Sequence, residues 1–151
     1  MKKILSLMSI MLFLSACSVA KIQDGEQYTG TSIDVLQDGQ DISARLIDGL
    51  LTIQITAKNE KCIGKFQYTS SSKSYLGFTT ASNSYLGEFS NKLGPACEAA
   101  VGNKGGQKIE VQVARMGGLL GSSIMSSTAI RICDDAEGLC LPKNTFKVTK
   151  G

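Results

Sequence analysis

Asp48-Gly49-Leu50-Leu51-Thr52-Ile53-Gln54-Ile55-Thr56-Ala57 alternates side chain by side chain. In an extended chain, successive side chains point to opposite sides. Leu51, Ile53 and Ile55 therefore share one face, and Thr52, Gln54 and Thr56 share the other. That period of two describes a strand half buried against a core. Asp48-Gly49 ahead of it is a two-residue hairpin signal, because such turns need positive φ at both central positions, which Gly adopts freely and Asp tolerates. Asp41 to Ile47 forms the other arm, and the pair sets up an antiparallel meander.

Working outward, Ser32 to Leu36 reads as a short strand, followed by a turn at Gln37-Asp38-Gly39-Gln40. On the other side, Asn59-Glu60 turns the chain into Lys61 to Thr69, with Cys62, Gly64, Phe66 and Tyr68 on one face. The run Ser70-Ser71-Ser72-Lys73-Ser74 reads as a loop. Two similar pieces follow, Ser74-Tyr75-Leu76-Gly77-Phe78 and Ser84-Tyr85-Leu86-Gly87-Glu88-Phe89. They predict a hairpin of two aromatic-rich strands; a paired Tyr75/Tyr85 platform for a ligand is the alternative reading. Gly94-Pro95 breaks the pattern, and residues 96–101 make a short helix. Lys108 to Met116, Thr128 to Cys133 and Thr145 to Lys150 supply the remaining strands. With no sustained 3.6-residue period, the chain is expected to be all-β. The prediction is a small antiparallel β-barrel or β-sandwich of about eight short strands with one short helix.

The N-terminus has a different character. Lys2 and Lys3 precede an apolar run from Ile4 to Leu14 that is broken only by Ser6 and Ser9. The run falls short of the roughly 20 residues that a membrane-spanning helix needs, and it has the build of a secretory signal peptide. It ends in Leu14-Ser15-Ala16-Cys17, which resembles the lipobox of bacterial lipoproteins. That resemblance covers about the first eighteen residues and implies removal of residues 1–16, with diacylglycerol and an acyl chain such as palmitate on Cys17. Ser18, in place of the Asp that retains such proteins in the inner membrane, implies the outer membrane, on its periplasmic face or at the cell surface. Residues 17–31, mostly polar with Gly25 and Gly30 as breakers, read as a tether, and residues 32–151 as one disulfide-bonded domain.

Removing residues 1–16 from 151 leaves 135, enough for one domain with a real core. Without Lys2 and Lys3, the 16 Lys and Arg fall to 14 against 13 Asp and Glu. Such a near-neutral balance does not argue for nucleic acid, which would want a basic face. The charge is uneven, however. Residues 21–48 are acid-rich, whereas Lys58 to Arg115 carries eight bases against Glu60, Glu88, Glu98 and Glu110, a dipolar arrangement able to steer a partner. The chain has no histidine, which excludes Ser-His-Asp and Cys-His catalysis and histidine-dependent zinc sites.

Of five cysteines, Cys17 is assigned to lipid, leaving an even four in an exported chain. Cys133 and Cys140 flank a short polar segment and pair most easily, which leaves Cys62 for Cys97. A four-cysteine zinc site lacks any Cys-x-x-Cys pair.

Other chemistry is thin. Ser70-x-x-Lys73 matches the Ser-x-x-Lys pattern of serine β-lactamases, but the chain has no Lys-Thr-Gly and no large α/β body. Asp134-Asp135-Ala136-Glu137 lacks the alternating pattern of a calcium loop. No cofactor or metal site is expected. The uncharged stretch Met116 to Ile130, with Leu119 and Leu120, reads as a glycine-hinged loop packing its apolar residues inward, or else as a patch for membrane or partner. The leading expectation is a non-enzymatic, lipid-anchored envelope domain that binds a protein, peptide or small apolar ligand, either as a subunit of an envelope assembly or as an inhibitor of a cell-wall hydrolase. The alternatives are a small hydrolase using Ser70/Lys73 or carboxylates such as Asp48 and Glu88, and a purely structural envelope component.

Overall fold

The computed structural model describes residues 23–33, 39–74, 80–102, 105–117, 127–133 and 145–151. Eight strands run in chain order around a closed antiparallel barrel: β1 (Gln27–Ser32), β2 (Asp41–Ile47), β3 (Leu50–Ala57), β4 (Glu60–Ser74), β5 (Thr80–Phe89), β6 (Ile109–Met116), β7 (Ser127–Ile132) and β8 (Thr145–Lys150). Among the described residues there is one helix, α1 (Pro95–Val101), between β5 and β6. Closure comes from β1, which pairs with β2 on one side and with β8 on the other. The fold is therefore the barrel rather than the sandwich, and closing the sheet removes the edges that an open one would expose.

The decisive stretch behaves as its pattern dictates. Leu51, Ile53, Ile55 and Ala57 are buried, while Leu50, Thr52, Gln54 and Thr56 are only partly so. Asp48 and Gly49 turn with φ 51° and 72°. The interior is filled by alternate residues of every strand, among them Ile42, Ile53, Phe66, Tyr85, Val111, Ile130 and Phe146. It is a packed core, as expected of a barrel this small. The end that holds the Asp48-Gly49 turn is called the mouth below. The opposite end holds the Lys58-Asn59 turn and α1.

At that far end Pro95 occupies the first turn of α1, where its missing N–H costs nothing, and Gly102 ends the helix in the left-handed region. Cys97, Ala100 and Val101 pack into the same core as the strands, against β3 and β4. Glu60 Oε2 accepts the N–H groups of Ala96 and Cys97, each at 3.1 Å. Cys62 and Cys97 form a disulfide with their Cα atoms 5.4 Å apart, which is the expected pairing. Cys133 is also disulfide-bonded, and Cys140 lies outside the described residues.

Three expectations are corrected. The first described strand is Gln27–Ser32, so the barrel extends into the segment read as tether, and the strand expected from Ser32 to Leu36 falls mostly outside the described residues. Tyr28 is the one large apolar side chain β1 contributes to the core, which is why the segment looks like linker. The serine run is strand rather than loop: Ser70–Ser74 continues β4 and pairs with Thr80–Ser84. Hydroxyls serve the ladder there, with Ser72 and Ser82 in contact at 2.8 Å and Thr69 Oγ1 donating to Ser84 O at 2.9 Å. Finally, Ser84–Phe89 pairs with residues 64–70, across a bulge at Thr69, and not with Ser74–Phe78.

Gly64 faces inward between two rings. A Cβ there would lie 2.6 Å from Phe66 and 2.8 Å from Phe89, whose rings meet edge to face at 5.2 Å. Gly64→Ala should cost about 1–3 kcal/mol by overpacking, and urea denaturation checks it. A loss under about 0.5 kcal/mol would mean that the aromatic pair yields freely.

Candidate functional site

Among the described residues, two regions of the barrel concentrate chemistry. The first lies inside the mouth. Glu26 is 4% exposed, and both of its carboxylate oxygens are engaged. Oε2 accepts from Arg115 Nη2 at 3.1 Å and from the Tyr28 hydroxyl, and Oε1 accepts from Lys150 Nζ at 2.9 Å. Arg115 Nη2 also donates to the Tyr28 oxygen at 3.0 Å. The inward register of β1, β6 and β8 brings together residues that are 89 and 124 positions apart from Glu26.

Burial alone would raise the Glu26 pKa. Hydrogen bonds from Tyr28 and Lys150 and the charges of Arg115 and Lys150 outweigh that and hold it below its ordinary value. Tyr28 is pushed up, first by burial and then by its hydrogen bond to the carboxylate, so it stays a phenol. Beside it, Tyr85 is raised mainly by burial, against a hydrogen bond from Asn83 Nδ2 at 3.4 Å. In this cluster one carboxylate is shared by two cations, Arg115 and Lys150, and the contacts tie the segment before β1 to β6 and β8 at the mouth.

The second region is on the outer wall toward the far end. Cys62, Gly64 and Phe66 of β4 point inward, so Lys61, Ile63 and Lys65 point outward. The β4–β5 register sets Glu88 opposite Lys65, and the chain after β5 brings up Lys92 and Leu93. Together they line a groove of about 430 Å³. Its lining carries three lysines and one glutamate, and Ile63 is 45% exposed between two of the lysines. A second groove of about 460 Å³ crosses β1, β2 and β3, lined by hydroxyls of Thr29, Thr31, Ser43, Thr56 and Thr149 with Asp41. Asp41 is its one charged lining residue, and its apolar member, Ile42, is buried.

The residues singled out from sequence fare unevenly. Tyr85 is 1% exposed and belongs to the core; its cross-strand neighbours are Tyr68 and Val111. Its ring meets Tyr68 edge to face at 5.9 Å. A Tyr75/Tyr85 cross-strand platform is therefore replaced by a Tyr68/Tyr85 pair in which Tyr68 alone is accessible. Tyr75, Leu119, Leu120, Cys17 and the segment 134–137 lie outside the described residues. Asp48 sits in the β2–β3 turn at the mouth, whereas Glu88 is on the outer wall of β5 toward the far end. Ser70 and Lys73 are both on strand β4, not at the start of a helix.

The lysine groove was missed because its members come from two segments. The sign of it was present: Lys61, Ile63 and Lys65 are the other face of the alternation that places Cys62, Gly64 and Phe66 inside. Comparison of the chain with protein-family models, curated proteins and solved structures gives no match.

Proposed function

We propose that this chain is a lipid-anchored cell-envelope domain that works by binding and catalyses no reaction, and that its partner is a protein presenting an acidic segment. The observation that carries the reading is the groove of Lys61, Lys65 and Lys92 around exposed Ile63. It offers an apolar contact at its centre and a positive field around it, the combination that speeds encounter with an acidic partner and fixes its register. The buried core formed by the described residues supports the same reading, because it leaves the outer wall as the surface for binding. The leader and Cys17 support the anchor, which would hold the domain at the outer membrane. An envelope assembly subunit and an inhibited cell-wall hydrolase are the two kinds of partner consistent with such a site.

The test combines address and charge. Palmitate labelling should mark the wild type and leave Cys17→Ala unlabelled; equal labelling would remove the anchor. Reversing Lys61, Lys65 and Lys92 together to Glu should weaken capture of the envelope partner at least tenfold while leaving stability nearly unchanged, because exposed side chains away from special features shift it by about 0.5 kcal/mol or less. Wild-type capture should also fall as salt rises. Capture that ignores both the triple reversal and salt would refute the groove as the binding site.

A further inference from the structure

We infer that the rim of the mouth rests on the bilayer surface that holds the lipid of Cys17, an inference that rests on the lipidation proposed above. Cys17 lies six positions before Gln23, the first described residue. An extended chain spans at most about 3.6 Å per residue, so the lipidated residue stays within roughly 20 Å of Gln23. Gln23 leads directly into Asp24, whose carboxylate takes the N–H groups of Asp48 at 2.8 Å and Gly49 at 3.1 Å. The tether therefore enters at the mouth and is fastened to its turn, with β1 beginning only three residues later at Gln27.

The same rim carries accessible apolar side chains. Ile47 at the end of β2, Tyr68 on β4 and Met116 at the end of β6 are 43%, 43% and 46% exposed. Single exposed apolar residues are ordinary; three spaced around one end, at the end where the anchor must enter, form a contact ring. A tyrosine suits the interface, with its ring at the acyl boundary and its hydroxyl among headgroups. Asp24 and Asp48 share the rim, so the fitting surface has zwitterionic headgroups and the contact is apolar rather than electrostatic. Seated this way, the barrel turns its far end and the Lys61–Lys65–Lys92 groove away from the membrane.

The chain has no tryptophan, so Tyr68→Trp makes a single emitter. The full lipidated chain is reconstituted into vesicles of phosphatidylethanolamine and phosphatidylcholine whose acyl chains are brominated or plain. Tyr68→Trp, and independently Met116→Trp should the first fail to fold, should lose at least half its emission to bromine. Lys61→Trp at the far end should lose none. Unquenched rim reporters on a chain whose Cys17 is palmitate-labelled would overturn the docking and leave the anchor standing. Equal quenching at both ends would overturn the orientation, and a protein adduct to Tyr68 in cells would give the rim a different occupant. Absence of palmitate would overturn anchor and docking together.

Discussion

Glu26→Gln should destabilise the domain by about 3 kcal/mol, the lower part of the range for removing one partner of a buried ion pair, and lower Tm by roughly 10 °C. Arg115 is 8% exposed and its guanidinium lies against the Glu26 carboxylate. Without that charge the guanidinium loses the carboxylate's share in offsetting its desolvation. Lys150 adds little to the loss, because its side chain is 56% exposed and water can replace the carboxylate. Urea denaturation of both proteins reads the difference directly. The paired replacement Glu26→Leu with Arg115→Met should recover most of it, since removing both charges also removes the desolvation cost. A Glu26→Gln variant as stable as the wild type would mean that the mouth is held together by packing alone.

The same carboxylate gives acid sensitivity with a definite sign. Its pKa in the folded chain lies below the ordinary value of 4.5. The unfolded chain therefore binds the proton more readily, and stability falls as pH drops. The contribution is complete above about pH 4.5 and is lost as pH falls through the folded-state pKa. Glu26→Gln should flatten this limb of the stability profile. A variant with an unchanged acid limb would assign it to other carboxylates.

The second large effect concerns Cys62 and Cys97. They are 35 residues apart in the chain, and closing a loop of that size stabilises by about 4 kcal/mol in the chain-entropy model. Cys62→Ala with Cys97→Ala should lose an amount of that order in urea denaturation. Replacing both avoids leaving a free thiol, and it spares the separate bond at Cys133, which reduction would also break. The loss is expected to fall unevenly. The helix keeps its bonds to Glu60 and its buried Ala100 and Val101, but without the covalent tie it is held by few contacts, so exchange of its amides should accelerate more than that of β3. A double variant within 1 kcal/mol of wild type would show that helix and barrel are joined well enough without the bond.

The strands legible in the sequence are those whose inward residues are plainly apolar: Asp41–Ile47, Leu50–Ala57 and Thr145–Lys150 match residue for residue. Where the barrel uses other chemistry, the pattern fails. β1 sends inward Tyr28 and the nearly featureless Gly30, and it is preceded by a buried acid, Glu26, whose partners lie far away in sequence; no local rule places a carboxylate inside. The serine run of β4 has the composition of a loop, and only the long-range register with β5 makes it strand. The lysine groove was half legible, as the outward face of β4. Glu88 and Lys92 join it through pairing that a single sequence does not display. Tyr85 was recognisable as special, but alternation alone gave no reason to prefer solvent over core for it.

Photocrosslinking in living cells at Ile63, the centre of the lysine groove, tests the binding account most directly. A photoreactive residue placed there in the otherwise native chain should give a discrete protein adduct. That adduct should disappear when Lys61, Lys65 and Lys92 are reversed to Glu, and the same probe at Thr149, in the hydroxyl-lined groove, should give none. No adduct at Ile63, or one of equal yield at Thr149 that survives the charge reversal, would contradict the proposal that this domain works by binding an acidic partner through that groove.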